Sequence, residues 1–309
     1  MLLVKKKENK MRKVLITVGI LILFTNSTFA LGPGESCTSF LKIGVGPRAV
    51  AMGEAFTAVA NDVTAVYWNP AGLSQITTRQ FIFMHNTWFE DINHDFIGVT
   101  VPLKDKQVLG LGIIGLFIDD LERRRNEYDL IPIGTFKAID SAFIISWANK
   151  EGTGIGLKLI SQEIDDRKGT GIAFDLGYLH QLQKDIKIGI TLQNWNEIKK
   201  LKIYKKKFSY PTLLRAGISY KKDNLRVATD FYKPFDNKSS IHFGLEKTYE
   251  RFSLRGGYKY KLKNESLSGI TLGLGCSFKE VYQLDYAYVP YQDLGDTHRI
   301  SIMIKLYRK

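Results

Sequence analysis

Two cysteines in 309 residues, Cys37 and Cys276, are too few for a disulfide framework or a four-ligand zinc site. Their spacing leaves open whether they bridge. Prolines number only 8, and the 27 glycines follow no three-residue period, which removes collagen-like and low-complexity classes. Catalytic and metal strings are missing too. The histidines, His85, His94, His180, His242 and His298, are dispersed, and neither H-E-x-x-H nor G-x-S-x-G occurs. Nothing local points to an enzyme, a metal or a cofactor. Beyond Ala30 no apolar stretch reaches the roughly eighteen residues of a spanning helix. What is present is a folding composition, 44% hydrophobic, 12% aromatic and 24% charged, with a net charge of +13.

Much of that charge sits at the front. Lys5, Lys6, Lys7, Lys10, Arg12 and Lys13 precede an apolar run from Val14 to Phe24, followed by Thr28-Phe29-Ala30 with small residues at the −3 and −1 positions. This is the pattern of a secretory signal peptide over residues 1–30, cleaved after Ala30, with Met1 or Met11 as the start. The alternative, a retained anchor, is disfavoured because the run is shorter than a bilayer requires. A nucleic-acid reading of the basic excess loses force once this segment is set apart.

From Arg79 onward the chain alternates with period two in segments of about ten residues, bounded by Lys, Asp, Asn, Gly and Pro. Ile172, Phe174, Leu176 and Tyr178 alternate with Ala173, Asp175 and Gly177, and Ile300, Ile302, Ile304 and Leu306 with Arg299, Ser301, Met303 and Lys305. Fourteen such segments are predicted. Short connections alternate with long charged ones at 119–137 and 196–209, as in a transmembrane barrel with short turns on one side and longer loops on the other. Trp88, Trp147, Trp195, Tyr220, Tyr249, Tyr260, Tyr288 and Tyr307 fall at strand ends, where interfacial girdles sit. The face opposite the apolar one carries Lys158, Asp175, Lys187, Arg226, Asp230, Glu246, Arg255, Lys259, Asp285, Arg299 and Lys305. A polar lumen accommodates such charges, whereas a dry sandwich core would have to pair each of them. The expected fold is an all-β, 14-stranded antiparallel outer-membrane barrel over residues 79–309.

Residues 31–78 are different. Ala49, Met52, Phe56 and Val59 recur at helical spacing, Asn61-Asp62 can cap a second short helix through Trp68, and Asn69-Pro70-Ala71-Gly72 turns the chain into the first strand. A short, small-residue-rich helical segment before a barrel predicts a plug, or hatch, within the lumen; a periplasmic extension is the alternative.

Phe40-Leu41-Lys42-Ile43-Gly44, Pro47-Arg48-Ala49, Ala51-Met52-Gly53-Glu54-Ala55-Phe56 and Tyr67-Trp68-Asn69-Pro70-Ala71-Gly72-Leu73 resemble the opening of the PorV/PorQ family, outer-membrane relatives of the FadL fatty-acid transporter. Leu284-Asp285-Tyr286-Ala287-Tyr288-Val289-Pro290 and the stretch from Asp293 to Ser301 resemble its end. The chain departs from that family in closing on Arg308-Lys309 instead of an aromatic residue. The resemblance implies a fourteen-stranded barrel whose hatch residues Phe56, Asn69, Pro70, Ala71 and Gly72 gate the passage of hydrophobic molecules such as fatty acids. It equally implies a second role, that of an accessory or scaffold contacting secretion-system proteins of a type IX-like machine. A transport role predicts an apolar pocket near the hatch and the extracellular rim.

Two patterns are set aside. Gly110-Leu111-Gly112-Ile113-Ile114-Gly115 satisfies a dinucleotide string but lies inside a strand, so its glycines read as small wall residues. The lysine run Lys199, Lys200, Lys205, Lys206 and Lys207 falls in an external loop, where outer-membrane lipid and lipopolysaccharide are the expected partners and nucleic acid is not.

Overall fold

The computed structural model describes residues 36–89, 92–126, 128, 131–196, 201–203, 206–262, 269–291 and 295–307. Residues 1–30, where a signal peptide is expected, Lys199, Lys200, Lys205, Arg308 and Lys309 lie outside the described residues, as do the side chains of Lys206 and Lys207.

Sixteen strands follow one another along the chain: β1 Arg79–Thr87, β2 Asn93–Pro102, β3 Val108–Arg123, β4 Gly134–Ala148, β5 Thr153–Ile164, β6 Arg167–Gln183, β7 Ile186–Trp195, β8 Leu201–Ile203, β9 Lys206–Phe208, β10 Leu213–Lys222, β11 Leu225–Pro234, β12 Ser240–Tyr249, β13 Phe252–Lys261, β14 Gly269–Phe278, β15 Tyr282–Pro290 and β16 Asp296–Leu306. All but the β8–β9 hairpin form one closed antiparallel barrel of fourteen strands. β1 pairs with β16 from Arg79↔Leu306 to Thr87↔His298, so no edge is left to recruit another chain. Successive strands point their side chains alternately in and out. On β1, Gln80, Ile82, Met84 and Asn86 are buried inward while Phe81 and Phe83 are exposed outward. Leu254, Leu272, Leu274, Ile300 and many others repeat this exposed apolar row around the barrel, far more greasy surface than water tolerates and what a hydrocarbon layer requires.

At the turn end, where β1 begins and β16 finishes, β10–β11 and β12–β13 are joined by two residues, with Asp223 and Glu250 at positive φ. The loop end departs from expectation. The loop expected over 119–137 shrinks to 124–133, because β3 and β4 stay paired up to Arg123↔Gly134, and β5 and β6 meet in a two-residue turn at 165–166. These four strands rise beyond the length of a membrane crossing, and their polar extensions resemble loop in the sequence while remaining sheet. The loop over 196–209 contains the β8–β9 hairpin.

Ahead of β1, residues 36–78 lie within the barrel. They form a 3-10 turn Ser39–Lys42, helix α1 Pro47–Ala51, helix α2 Ala65–Trp68 and a 3-10 turn Pro70–Gln75. The longer helix suggested by Ala49, Met52, Phe56 and Val59 stops at Ala51, since Gly53 and Glu54 take left-handed backbone angles. The apolar spacing instead serves turns that pack in every direction, and Met52, Phe56 and Val59 are wholly buried.

Candidate functional site in the plugged lumen

The wall receives the hatch through glycine. Gly98↔Gly112, Gly154↔Gly177, Gly189↔Gly217 and Gly244↔Gly257 are cross-strand partners on the inner face. A Cβ on Gly177 would collide with Asn69 Oδ1, one on Gly154 with the Ala71 backbone, and one on Gly257 with Gly53. Gly154, Gly177, Gly189, Gly244 and Gly257 leave dents into which hatch backbone fits, and Gly98 and Gly112 receive the side chains of Val63 and Val66. The Asn69-Pro70-Ala71-Gly72 turn occupies one of them. Asn69 Oδ1 accepts from Ala71 N at 3.1 Å, its amide donates to Thr57 O at 2.9 Å, and Gly72 lies against Ala60. Phe56 is held beside the same turn. Its backbone N–H and that of Thr57 donate to Asp230 Oδ2 at 3.0 and 2.9 Å, and its ring meets Trp68 edge-on. Gly110 and Gly112 pack on Val66, as wall residues.

Ion pairs fasten the same segment. Arg48 of α1 donates to Glu246 at 2.7 and 2.9 Å and to Asp62 at 2.9 Å, and Glu246 also receives Arg255, which reaches Asp285 at 2.6 Å. Arg226 stands 3.4 Å from Glu246. Burial alone would lower the pKa of the Arg48 guanidinium, but Glu246 and Asp62 outweigh it and push it up. Lys158 and Asp175 form a wholly buried pair at 2.8 Å, with Asn194 accepting from Lys158 at 2.6 Å. Lys187 reaches Gln75 of the hatch. Arg299 faces inward on β16 and has no such pair among the described residues.

Two groups that hold the hatch are missing from the inward set expected from sequence, Glu54 of the hatch and Arg215 of β10. Glu54 sits at the centre of the hatch and contacts Lys259 at 2.5 Å and Arg215 at 3.5 Å. Burial would raise its carboxyl, yet Lys259 and Arg215 hold it down at about 2. Arg215, almost wholly buried, is sandwiched between the rings of Trp68 at 4.8 Å and Tyr232 at 4.4 Å. Its parity with Gly217 and Ser219 on β10 was the available signal.

A cavity of about 290 Å³ opens between hatch and wall at the loop end, lined by Ile43, Trp88, Tyr232 and Tyr291 and by Lys42, Glu54, His242, Lys259 and Lys261. Its wall is mixed, with charged groups beside the apolar ones that were expected near the hatch and rim. Trp88 belongs to it: the ring turns inward onto Phe89 and Tyr291, because it follows Asn86 on the inner face of β1, and does not join the lipid-facing girdle. Tyr220, Tyr249, Tyr260 and Tyr307 do face outward. At the turn end a polar cavity of about 320 Å³ has Arg48, Asn61 and Asp62 as its floor. An apolar groove of about 400 Å³ lies on the outer surface, where Ile145, Trp147, Ile155, Leu157, Phe174 and Leu176 surround Gly156. Cys37 and Cys276 are free thiols.

A closed antiparallel barrel of fourteen strands has counterparts among solved structures. The toluene transporter TodX of P. putida superposes with a TM-score of 0.69 at 13% identity, over 86% of this chain and 99% of TodX. The fold is the FadL/TodX-type barrel. The Ralstonia pickettii toluene transporter TbuX gives a TM-score of 0.59 at 14% identity, over 85% of this chain and 99% of TbuX. A Pseudomonas aeruginosa FadL homologue gives 0.55 at 12%, over 84% and 97%. Residues 29–117, the hatch together with β1, β2 and most of β3, match the uncharacterised protein family UPF0164. No curated protein matches the chain.

Proposed function

We propose that this barrel resides in an outer membrane and admits hydrophobic small molecules past its hatch. The observation that carries the reading is the loop-end cavity, where Trp88, Tyr232 and Tyr291 form an aromatic wall directly against the hatch. A lumen filled by residues 36–78 is no open water pore, so a ligand must enter by displacing or skirting protein, and an apolar molecule gains from such contacts. Among the similar structures are toluene transporters and a FadL homologue, which supports the same class of cargo. In this reading the turn end faces the periplasm, and Phe56 and the Asn69-Pro70-Ala71-Gly72 turn form the moving part. The test is uptake of labelled toluene and labelled dodecanoate by cells that lack their own hydrophobic channels. Faster uptake of either on expression supports transport, and rates equal to the empty host for both overturn it.

A second reading has its own observation. Beyond the barrel rim the β3–β4 connection exposes Tyr128 (83%), Ile131 (80%) and Ile133, apolar groups suited to a protein surface. An accessory role of the PorV/PorQ kind would use them to hold secretion-system proteins and would need no ligand path.

A further inference from the structure

Six turns ring the end of the barrel where β1 begins, and together they carry six basic and six acidic residues. The rim itself is balanced. Inside the mouth the balance is lost: the polar cavity of about 320 Å³ is lined by Arg48, Lys221, Arg226, Arg255 and Lys305 against Asp62, Asp223 and Glu246. Two of those carboxylates are already occupied. Glu246 accepts two bonds from Arg48 and one from Arg255, and Asp62 accepts from Arg48 and from the Thr64 hydroxyl. Arg226 is left with a 3.4 Å approach to the crowded Glu246; it is only 7% exposed, and its Nε makes no hydrogen bond. Lys221 and Lys305 have no ionic partner among the described residues. Lys187, the register partner of Ser219 and so one inward position from Lys221, bonds only the neutral Gln75. A group of like charges, one of them more than nine-tenths buried, is unfavourable until an anion joins it.

We propose that this mouth docks a short acidic segment of a periplasmic protein, whose carboxylates pair with Lys221, Arg226 and Lys305. Lys305 on β16 stands five strands from Arg226 on β11, at about 4.8 Å a strand, so one small ion cannot meet both and an extended chain can. Between the cations stand acceptors, Asp223 and Glu246, and groups that bond either way, Thr248, Ser253, Ser277 and Gln283. Peptide N–H groups serve the first and peptide carbonyls the second. A polyphosphate offers oxygen alone and is repelled by Glu246 and Asp223. A lipid surface fits worse still, since head groups lie outside the balanced rim whereas the unpaired cations line its interior. Arg48, Asn61 and Asp62 of the hatch form the floor, so a docked segment touches the hatch as well as the wall. The site shares with the transport reading only its orientation, turn end toward the periplasm, and requires no cargo.

Fluorescence anisotropy of labelled octaglutamate on the purified full-length protein in an uncharged detergent tests it, with unlabelled octaglutamate, octaglutamine and tripolyphosphate as competitors. The label should bind at low salt, and octaglutamine should displace it about tenfold or more weakly than octaglutamate does. Lys221→Gln combined with Lys305→Gln should weaken binding about tenfold; neither side chain is buried, so the double variant should assemble. Lys104→Gln combined with Lys279→Gln, in the balanced turns outside the cavity, should leave binding unchanged. Absence of octaglutamate binding overturns the docking site. Equal losses in the two double variants overturn it in favour of a diffuse attraction to the whole turn end, and octaglutamine competing as strongly as octaglutamate overturns the ionic pairing. Tripolyphosphate displacing the label at lower concentration than octaglutamate overturns the peptide in favour of an inorganic polyanion. None of these outcomes touches the transport reading, which the uptake test decides alone.

Discussion

Glu54 shows at the scale of one residue how the hatch is held. Its carboxylate joins Lys259 of the wall and Arg215, and that company holds it down at about 2 against an ordinary value of 4.5. A lowered folded-state pKa contributes stability in full above the unfolded value, and that contribution is lost as pH falls through the folded one. The hatch should therefore stay seated at pH 5 and above and loosen between about 4.5 and 2, seen as rising conductance of the protein in planar bilayers. Glu54→Gln should raise the conductance at neutral pH and flatten its dependence across that window; a wild-type response retained by the variant would assign the transition to another group. Sequence parity placed Lys158, Asp175, Arg226, Glu246, Arg255 and Asp285 on the inner wall, because a strand offers only two faces. It gave no purchase on Glu54, which lies in irregular backbone at a positive φ, where no period exists to read.

The hatch as an element is held by fit more than by helix. α1 and α2 have five and four residues, too short to be stable alone, so their shape is borrowed from the glycine-paired wall and the Arg48 network. Deleting residues 40–76 should leave a barrel that still closes through β1 and β16 and conducts ions far more than the full chain. Unchanged conductance in planar bilayers would remove the idea that this segment blocks the lumen. The turn Asn69-Pro70-Ala71-Gly72 was legible, since Asn69 caps it through a local hydrogen bond of 3.1 Å; the helix expected to be capped by Asn61-Asp62 begins only at Ala65, with Thr64 before it, and Asp62 instead accepts from Thr64 N at 3.0 Å. The run from residue 49 to 59 was not, because small apolar residues packed on all sides imitate the spacing of one helical face. The extended β3–β6 hairpins were missed for a related reason. Above the apolar band both faces of a strand meet water, so alternation loses its contrast and paired sheet resembles loop.

For the whole molecule the decisive solvent is the one outside. Leu274, 55% exposed near the middle of β14, belongs to the outward apolar surface. Leu274→Arg should lower the folding free energy in lipid vesicles by about 2–4 kcal/mol, measured by reversible denaturant titration, with the fold unchanged. A shift below a few tenths of a kcal/mol would place this face in water.

The path of the chain sets an order of assembly. Ser36 lies beside Ser209 and Asp236 at the loop end, whereas Arg79 enters β1 at the turn end, so the segment between them passes lengthwise through the ring that its own continuation builds. A ring already sealed along β1 and β16 could not receive it from the side. A cord laid in from the side makes the seam between first and last strands the final join, closed around it, and the finished protein is a bead strung on its own thread.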